Sequence, residues 1–191
     1  MKIVKTGLAA IILMQTACIK ETIHPYSASQ IVNNASVTDS FYIGQHYGGG
    51  IIFYLDSTKM HGFISGLKNL SDSTSWKNDM YITTGATGTT LGTGNRNTQQ
   101  IVLSQGNTGK YAALLCANDT SGGYDDWFLP SRAELNILHQ RRLLIPGLTG
   151  GNYWSSSESA YKKAWCQHFH GGLQFTANKK NIFHVRAVRA F

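Results

Sequence analysis

Residues 122–135 read GGYDDWFLPSRAEL. Gly122-Gly123 and Asp125-Asp126 are turn formers, Trp127-Phe128-Leu129 is an apolar triplet, and Pro130 biases the residue before it toward extended backbone. Ser131 and Glu134 then have the spacing of a capping box, in which hydroxyl and carboxylate satisfy each other's unpaired backbone donors at a helix start. Leu135 and Leu138 continue on one helical face, and Pro146-Gly147 closes the segment. A turn, a short extended apolar piece and a capped amphipathic helix in such close succession point to an α+β domain rich in loops.

C-terminal to this helix the pattern changes period. Residues Ala164 to His170 read as a strand, Gly171-Gly172 as a two-residue hairpin turn, and Leu173 to Ala177 as the returning strand. Asn178 to Asn181 turns again and Ile182 to Ala190 closes an antiparallel β-meander. That register sets His170 opposite Leu173, His168 opposite Phe175, and Phe175 opposite His184. On the N-terminal side, Gly48-Gly49-Gly50 leads into Ile51 to Leu55, with His61 to Ser65 as its hairpin partner. Tyr111, Leu114 and Leu115 fall at helical spacing after a polar start near Thr108. Residues 83–98 (TTGATGTTLGTGNRNT) read as a long Gly/Thr loop. The expectation is therefore two helices and a C-terminal meander, folded over residues 41–191.

Composition narrows the class further. With 42% hydrophobic residues the 191-residue chain can bury a core, and 14% charged residues with 20 glycines favour a loop-rich β-containing domain over a bundle. No internal repeat and no apolar run long enough to span a bilayer is visible. The formal charge of +7 is spread without a basic stripe, which argues against a nucleic-acid partner. Lys2 and Lys5 precede an apolar stretch from Gly7 to Met14, as in a signal peptide over residues 1–17. Gln15-Thr16-Ala17-Cys18 follows and is similar to a lipoprotein lipobox, with Gln15 where the pattern usually has Leu. That likeness implies lipidation at Cys18, a flexible tether over residues 18–40, and an exported domain held at the outer membrane or cell surface. The alternative is an ordinary secretory signal with an incidental cysteine.

The segment Gly122 to Ser131, then Glu134-Leu135, Tyr153-Trp154-Ser155-Ser156-Ser157-Glu158 and Val185-Arg186-Ala187-Val188-Arg189-Ala190-Phe191 together resemble the Lcl C-terminal domain family (the DUF1566 type). Gly49-Gly50-Ile51-Ile52-Phe53, His61-Gly62 and Asn97-Thr98 fit the same pattern, so the likeness spans residues 43–191. The resemblance implies a C-type-lectin-like fold of the formylglycine-generating-enzyme type in a bacterial exported or surface protein. The tail is also similar to the variable proteins of diversity-generating retroelements, whose changeable stretch would here lie between Ala160 and His184.

Strand alternation puts Trp165, Phe169 and Val185 on a core face of the meander. It puts Cys166, His168, His170, Leu173, Phe175, Ala177 and His184 on the other. The second face mixes imidazoles with exposed apolar groups, as binding patches do, although a merely solvated face would read the same way. Tyr153, Trp154, His168, His170, Phe175 and His184 are the candidate contacts for a glycan or protein ligand. A zinc site from His168, His170 and His184 is disfavoured, because Phe175 lies between His168 and His184 in the expected register. Asp119-x-Ser121-x-Gly123-x-Asp125 lacks the terminal bidentate Glu of a calcium loop. The GTG of residues 92–94 lacks the Gly-Lys-Ser/Thr of a phosphate loop. Ser155-Ser156-Ser157 is no nucleophile elbow, and the adjacent Asp125 and Asp126 point apart. No cofactor is implied. Cys116 and Cys166, as a disulfide or as two thiols, keep open a thiol-dependent enzyme as the alternative function; an envelope protein without a small ligand is the third. Replacing Cys18 with Ser is predicted to move the mature protein from the membrane pellet to the soluble fraction on fractionation; retention in the pellet refutes lipid anchoring through that residue.

Overall fold

The capping box forms as its spacing requires. In a computed structural model that describes residues 40–191, the Ser131 hydroxyl accepts from Glu134 N (3.3 Å) and the Glu134 carboxylate accepts from Ser131 N (2.7 Å). The expected signal segment, Cys18 and the tether up to residue 39 lie outside the described residues. Glu134 is fully buried and does more than cap its own helix. Its other oxygen accepts from Gly92 N (2.8 Å) and Gly94 N (3.2 Å), fixing the start of a preceding helix. Burial pushes the Glu134 pKa up, and the three backbone donors oppose that shift.

The described elements are β1 (His46–Tyr47), β2 (Gly50–Leu55), β3 (Gly62–Gly66), β4 (Ser71–Ser75), α1 (Gly94–Gln105), α2 (Ala112–Ala117), α3 (Arg132–Gln140), β5 (Asn152–Ala160), β6 (Lys163–His168), β7 (Gln174–Asn178), β8 (Ile182–Val185) and β9 (Val188–Ala190). They form one sheet in the order β1-β2-β3-β9 and a second in the order β4-β8-β5-β6-β7. The α+β class and the loop-rich character agree with the sequence. The β2–β3 hairpin is also as expected, with Ile51 opposite Ser65. Ile52 and Ile64 face a core with Trp76, Ile101, Leu129, Trp154 and Val185; Ile51, Phe53 and Phe63 face a second core with Leu135, Leu138, Tyr153 and Phe169. Both faces of β2 are thus covered, which is why its sequence is a continuous apolar run. At the sheet edge Phe41 and Tyr47 clasp Phe191, with ring centroids 4.9 and 5.2 Å from it.

Two expectations need correction. There are three α-helices among the described residues, because α1 rises out of the stretch read as a Gly/Thr loop. Its inward face is mostly polar: Asn97 and Thr98 are buried beside Ile101. Asn97 exchanges hydrogen bonds with Gly88 (2.6 and 3.2 Å), and Thr98 accepts from Leu129 N (3.0 Å). An apolar-periodicity test cannot see such a face.

The second correction concerns the tail. The β6–β7 hairpin forms, but Cys166, not His168, lies opposite Phe175, and the loop runs from His168 to Leu173. β8 does not return beside β7. It crosses to the far side of β5, where it runs parallel to β5 and antiparallel to β4, so there is no meander. Lys179, in the expected Asn178–Asn181 turn, anchors the chain where it leaves β7. Its side chain is fully buried, pairs with the buried Glu158 of β5, donates to Ile82 O (2.9 Å) and lies 4.6 Å from the Trp76 ring. Its backbone carbonyl accepts from Trp76 N (3.0 Å). From this anchor the chain continues to the far side of β5. β9 then joins the four-stranded sheet, bridging Phe128 through Val188.

Removing one partner of a buried ion pair strands the other charge, at about 3–5 kcal/mol. Glu158→Ala is predicted to lose that much in denaturant unfolding, whereas Glu158→Gln with Lys179→Met recovers most of it. Equal midpoints for wild type and Glu158→Ala would show that the pair does not hold the tail.

Candidate functional site

The histidines of the tail gather at one end of the five-stranded sheet. β5 is entered through Gly150-Gly151, whose carbonyls accept from His170 N (3.2 Å) and Phe169 N (2.9 Å). Close approach favours glycine at 151, where a Cβ would come within 2.2 Å of the His184 ring, whereas one on Gly150 would make only ordinary contact with His170 at 3.4 Å. His168 pairs with Asn152 across β5–β6, and His184 pairs with Tyr153 across β5–β8. Neighbouring strand residues point to opposite faces, so His168 and His184 sit on opposite sides of the sheet rather than on one face.

His184 is partly structural. Its ring stacks on Tyr153 at 4.9 Å, and its Nδ1 lies 2.9 Å from Asp72 Oδ1. The Asp72 carboxyl is held below the usual range, first by the Asn69 side chain and then by His184. His168 and His170 lie on the hairpin side with rings 6.2 Å apart, and the His168 Nδ1 accepts from Gly171 N (3.3 Å). His139 of α3 meets the same hairpin: its ring packs edge-on to Phe169 at 5.2 Å, with Gly172 against it. Burial, and then the positive Arg142, push the His139 pKa down.

Two of the sequence-based contact residues are inside the protein. Tyr153 and Trp154 are both 0% exposed. The Tyr153 hydroxyl accepts from Thr149 N (2.9 Å), and Trp154 Nε1 donates to Thr74 O (2.9 Å). They fill the two cores on opposite faces of β5 and present nothing to a surface ligand. Phe175 is half-buried against Phe183. The inside–outside assignment fails for a related reason: helices and loops cover both faces of β6. Cys166 and Ala177, expected outside, are buried, and Trp165, expected in the core, is half-buried beneath the Arg132 guanidinium at 3.7 Å. Phe169 and Val185 are buried as expected.

What remains accessible is a groove of about 280 Å³ lined by Arg142, Leu148, Thr149, Gly150, Phe169 and His170. Arg142 was invisible to sequence reasoning because nothing near it in the chain has a pattern; the chain turns back after α3 and places it there. No group of three or more His, Cys, Asp or Glu among the described residues is arranged to hold a metal ion. Cys116 and Cys166 are unpaired and buried, and burial raises both thiol pKa values, Cys166 to about 12. The serines of β5 are occupied structurally: Ser157 donates to Gly88 O (2.6 Å) and accepts from Arg132 N (2.9 Å).

The serine run of β5 and Val185 to Arg189 of the tail fall within a match to a known family. The chain belongs to the Lcl C-terminal domain family, which it matches over residues 67–189. No curated protein matches it.

Truncating a buried aromatic costs about 3–5 kcal/mol, whereas exposed positions are usually within about 0.5 kcal/mol. Phe169→Ala is predicted to show the larger loss and His170→Ala the smaller in parallel thermal melts; the reverse ranking would place His170 inside.

Proposed function

We propose that the protein is a surface-anchored, non-catalytic recognition domain with a C-type-lectin-like fold, lipidated at Cys18 and presenting the histidine-bearing end of its five-stranded sheet to a glycan or protein ligand. The observation that carries this reading is the groove at that end. Imidazole, guanidinium and exposed apolar surface converge there, while the contacts that hold the domain together lie beneath it. Such a mixture suits a surface that recognises rather than one that transforms. The candidate contacts in the groove are Arg142 and His170; His168 and the outer edge of His184, on opposite sides of the sheet at the same end, and the exposed edge of Phe175 lie outside its lining.

The burial of both thiols supports the same reading against a thiol-dependent enzyme, since the thiolate is the nucleophile and neither cysteine is held as one. The likeness of the tail to diversified proteins fits an open hairpin. Between Ala160 and His184 the exposed positions can change, whereas Ala164, Cys166, Gln167, Phe169, Ala177 and Lys179 are buried and cannot change freely.

The test is a glycan array and a panel of cell-surface proteins probed with the mature chain and with the Arg142→Ala/His170→Ala variant. The expected result is a ligand whose affinity falls about tenfold or more in the variant, with the melting temperature unchanged. Binding that ignores both substitutions refutes the groove as the contact surface, and no binding at all favours the purely structural envelope protein.

A further inference from the structure

A second concavity, of about 600 Å³, opens at the β1–β2 end of the four-stranded sheet. Five glycines make much of its wall main chain, with His46 and Tyr47 of β1 at one side. Gly48-Gly49-Gly50 lies on one side, Gly66 of β3 beside it, and Gly122 across from Gly49. The two loops touch at their glycines: a Cβ on Gly122 would lie 2.4 Å from Gly49 Cα, and both residues have positive φ (69° and 84°). No side chain fits at the crossing, so the floor is bare peptide with the Trp127 ring behind it, 3.3 Å from a Cβ placed on Gly49. Tyr47 and Leu67, 42% and 45% exposed, supply apolar flanks.

The walls are braced from behind. Arg189 donates to Gly48 O (3.3 Å) and is committed to Asp126 at 2.6 and 2.8 Å. Arg186, almost fully buried, donates to Gly66 O and to Asn69 (3.0 Å). The cleft is thus held open by the two arginines of the family's tail motif without either charge being offered to it. Asp119 at the rim is turned into its own loop, accepting from Ser121 N (3.1 Å) and Oγ (2.6 Å). Lys68, exposed at the mouth, takes part in none of the ion pairs among the described residues. A preformed, largely apolar slot of ligand size with one uncommitted lysine at its edge suits an apolar body that carries a single negative charge.

We propose that this cleft binds a small amphipathic anion: an aromatic or alkyl body laid against the glycine floor between Tyr47 and Leu67, with a single carboxylate or sulfonate at Lys68. It is separate from the histidine groove and stands whether or not that groove binds a macromolecule.

The probes are 8-anilinonaphthalene-1-sulfonate and its sulfonate-free counterpart N-phenyl-1-naphthylamine, titrated by fluorescence against the folded mature chain. One saturable sulfonate-dye site per chain is expected. Lys68→Glu should weaken the sulfonate dye about tenfold and the neutral dye less than about twofold, while Leu67→Asp should weaken both about tenfold. Both residues are on the surface, and circular dichroism melts matching wild type confirm that the variants are folded. The proposal is overturned if the native protein binds neither dye, if both substitutions leave the sulfonate dye unaffected, or if Lys68→Glu weakens the two dyes equally. Loss of the dye in Arg142→Ala/His170→Ala instead would place it in the histidine groove and likewise overturn the cleft.

Discussion

A lysine ammonium and a glutamate carboxylate, both out of contact with water, hold the five-stranded sheet in its order. Desolvating such a pair is expensive, and it persists only where further hydrogen bonds complete it. Here Ile82 O and the Trp76 ring complete Lys179, and the backbone of Thr84 and Gly85 completes Glu158. The pair ties the residues before α1, the end of β5 and the turn after β7 into one knot. The position of β8 follows from it, and with β8 the placement of His184 beside Tyr153 and of the two tail arginines behind the glycine cleft.

The features legible in the sequence were those fixed by local chemistry. Ser131 and Glu134 announce a helix start because capping depends on three residues of spacing and nothing distant. The Gly50–Gly66 hairpin shows in its β-rich runs and bounding turns. The extra duty of Glu134 toward Gly92 and Gly94, by contrast, is a tertiary fact with no local trace. α1 escaped notice because its buried face is Asn97 and Thr98, whose hydrogen-bonding partners lie in other segments. Lys179 lies in a turn, as its sequence suggests, but its burial has no local signal because lysine is seldom buried. The turn itself forms, but without the burial of Lys179 the sequence suggests a meander in place of the crossover, with His168 and His184 on a common face.

The candidate site was legible in part for the same reason. Tyr153 and Trp154 come from the Tyr-Trp-Ser-Ser-Ser-Glu motif, and His168, His170, Phe175 and His184 from period-two alternation, which separates inside from outside only when one face of a sheet meets water. β5 and β6 are covered on both faces, so Tyr153 and Trp154 are core, and exposure is confined to the strand ends and the His168–Leu173 loop. His170 and the edge of His168 survive as surface groups because they lie at that end. Arg142 and Asp72 enter only through the fold.

The clasp of Phe41 and Tyr47 on Phe191 has a mechanical side. If the domain is tethered as proposed, through the segment before residue 41, tension on that segment enters the fold at Phe41. The first rings to bear it also grip the last residue of β9's extension, so the load passes at once into the β3–β9 pairing and is shared by the four-stranded sheet.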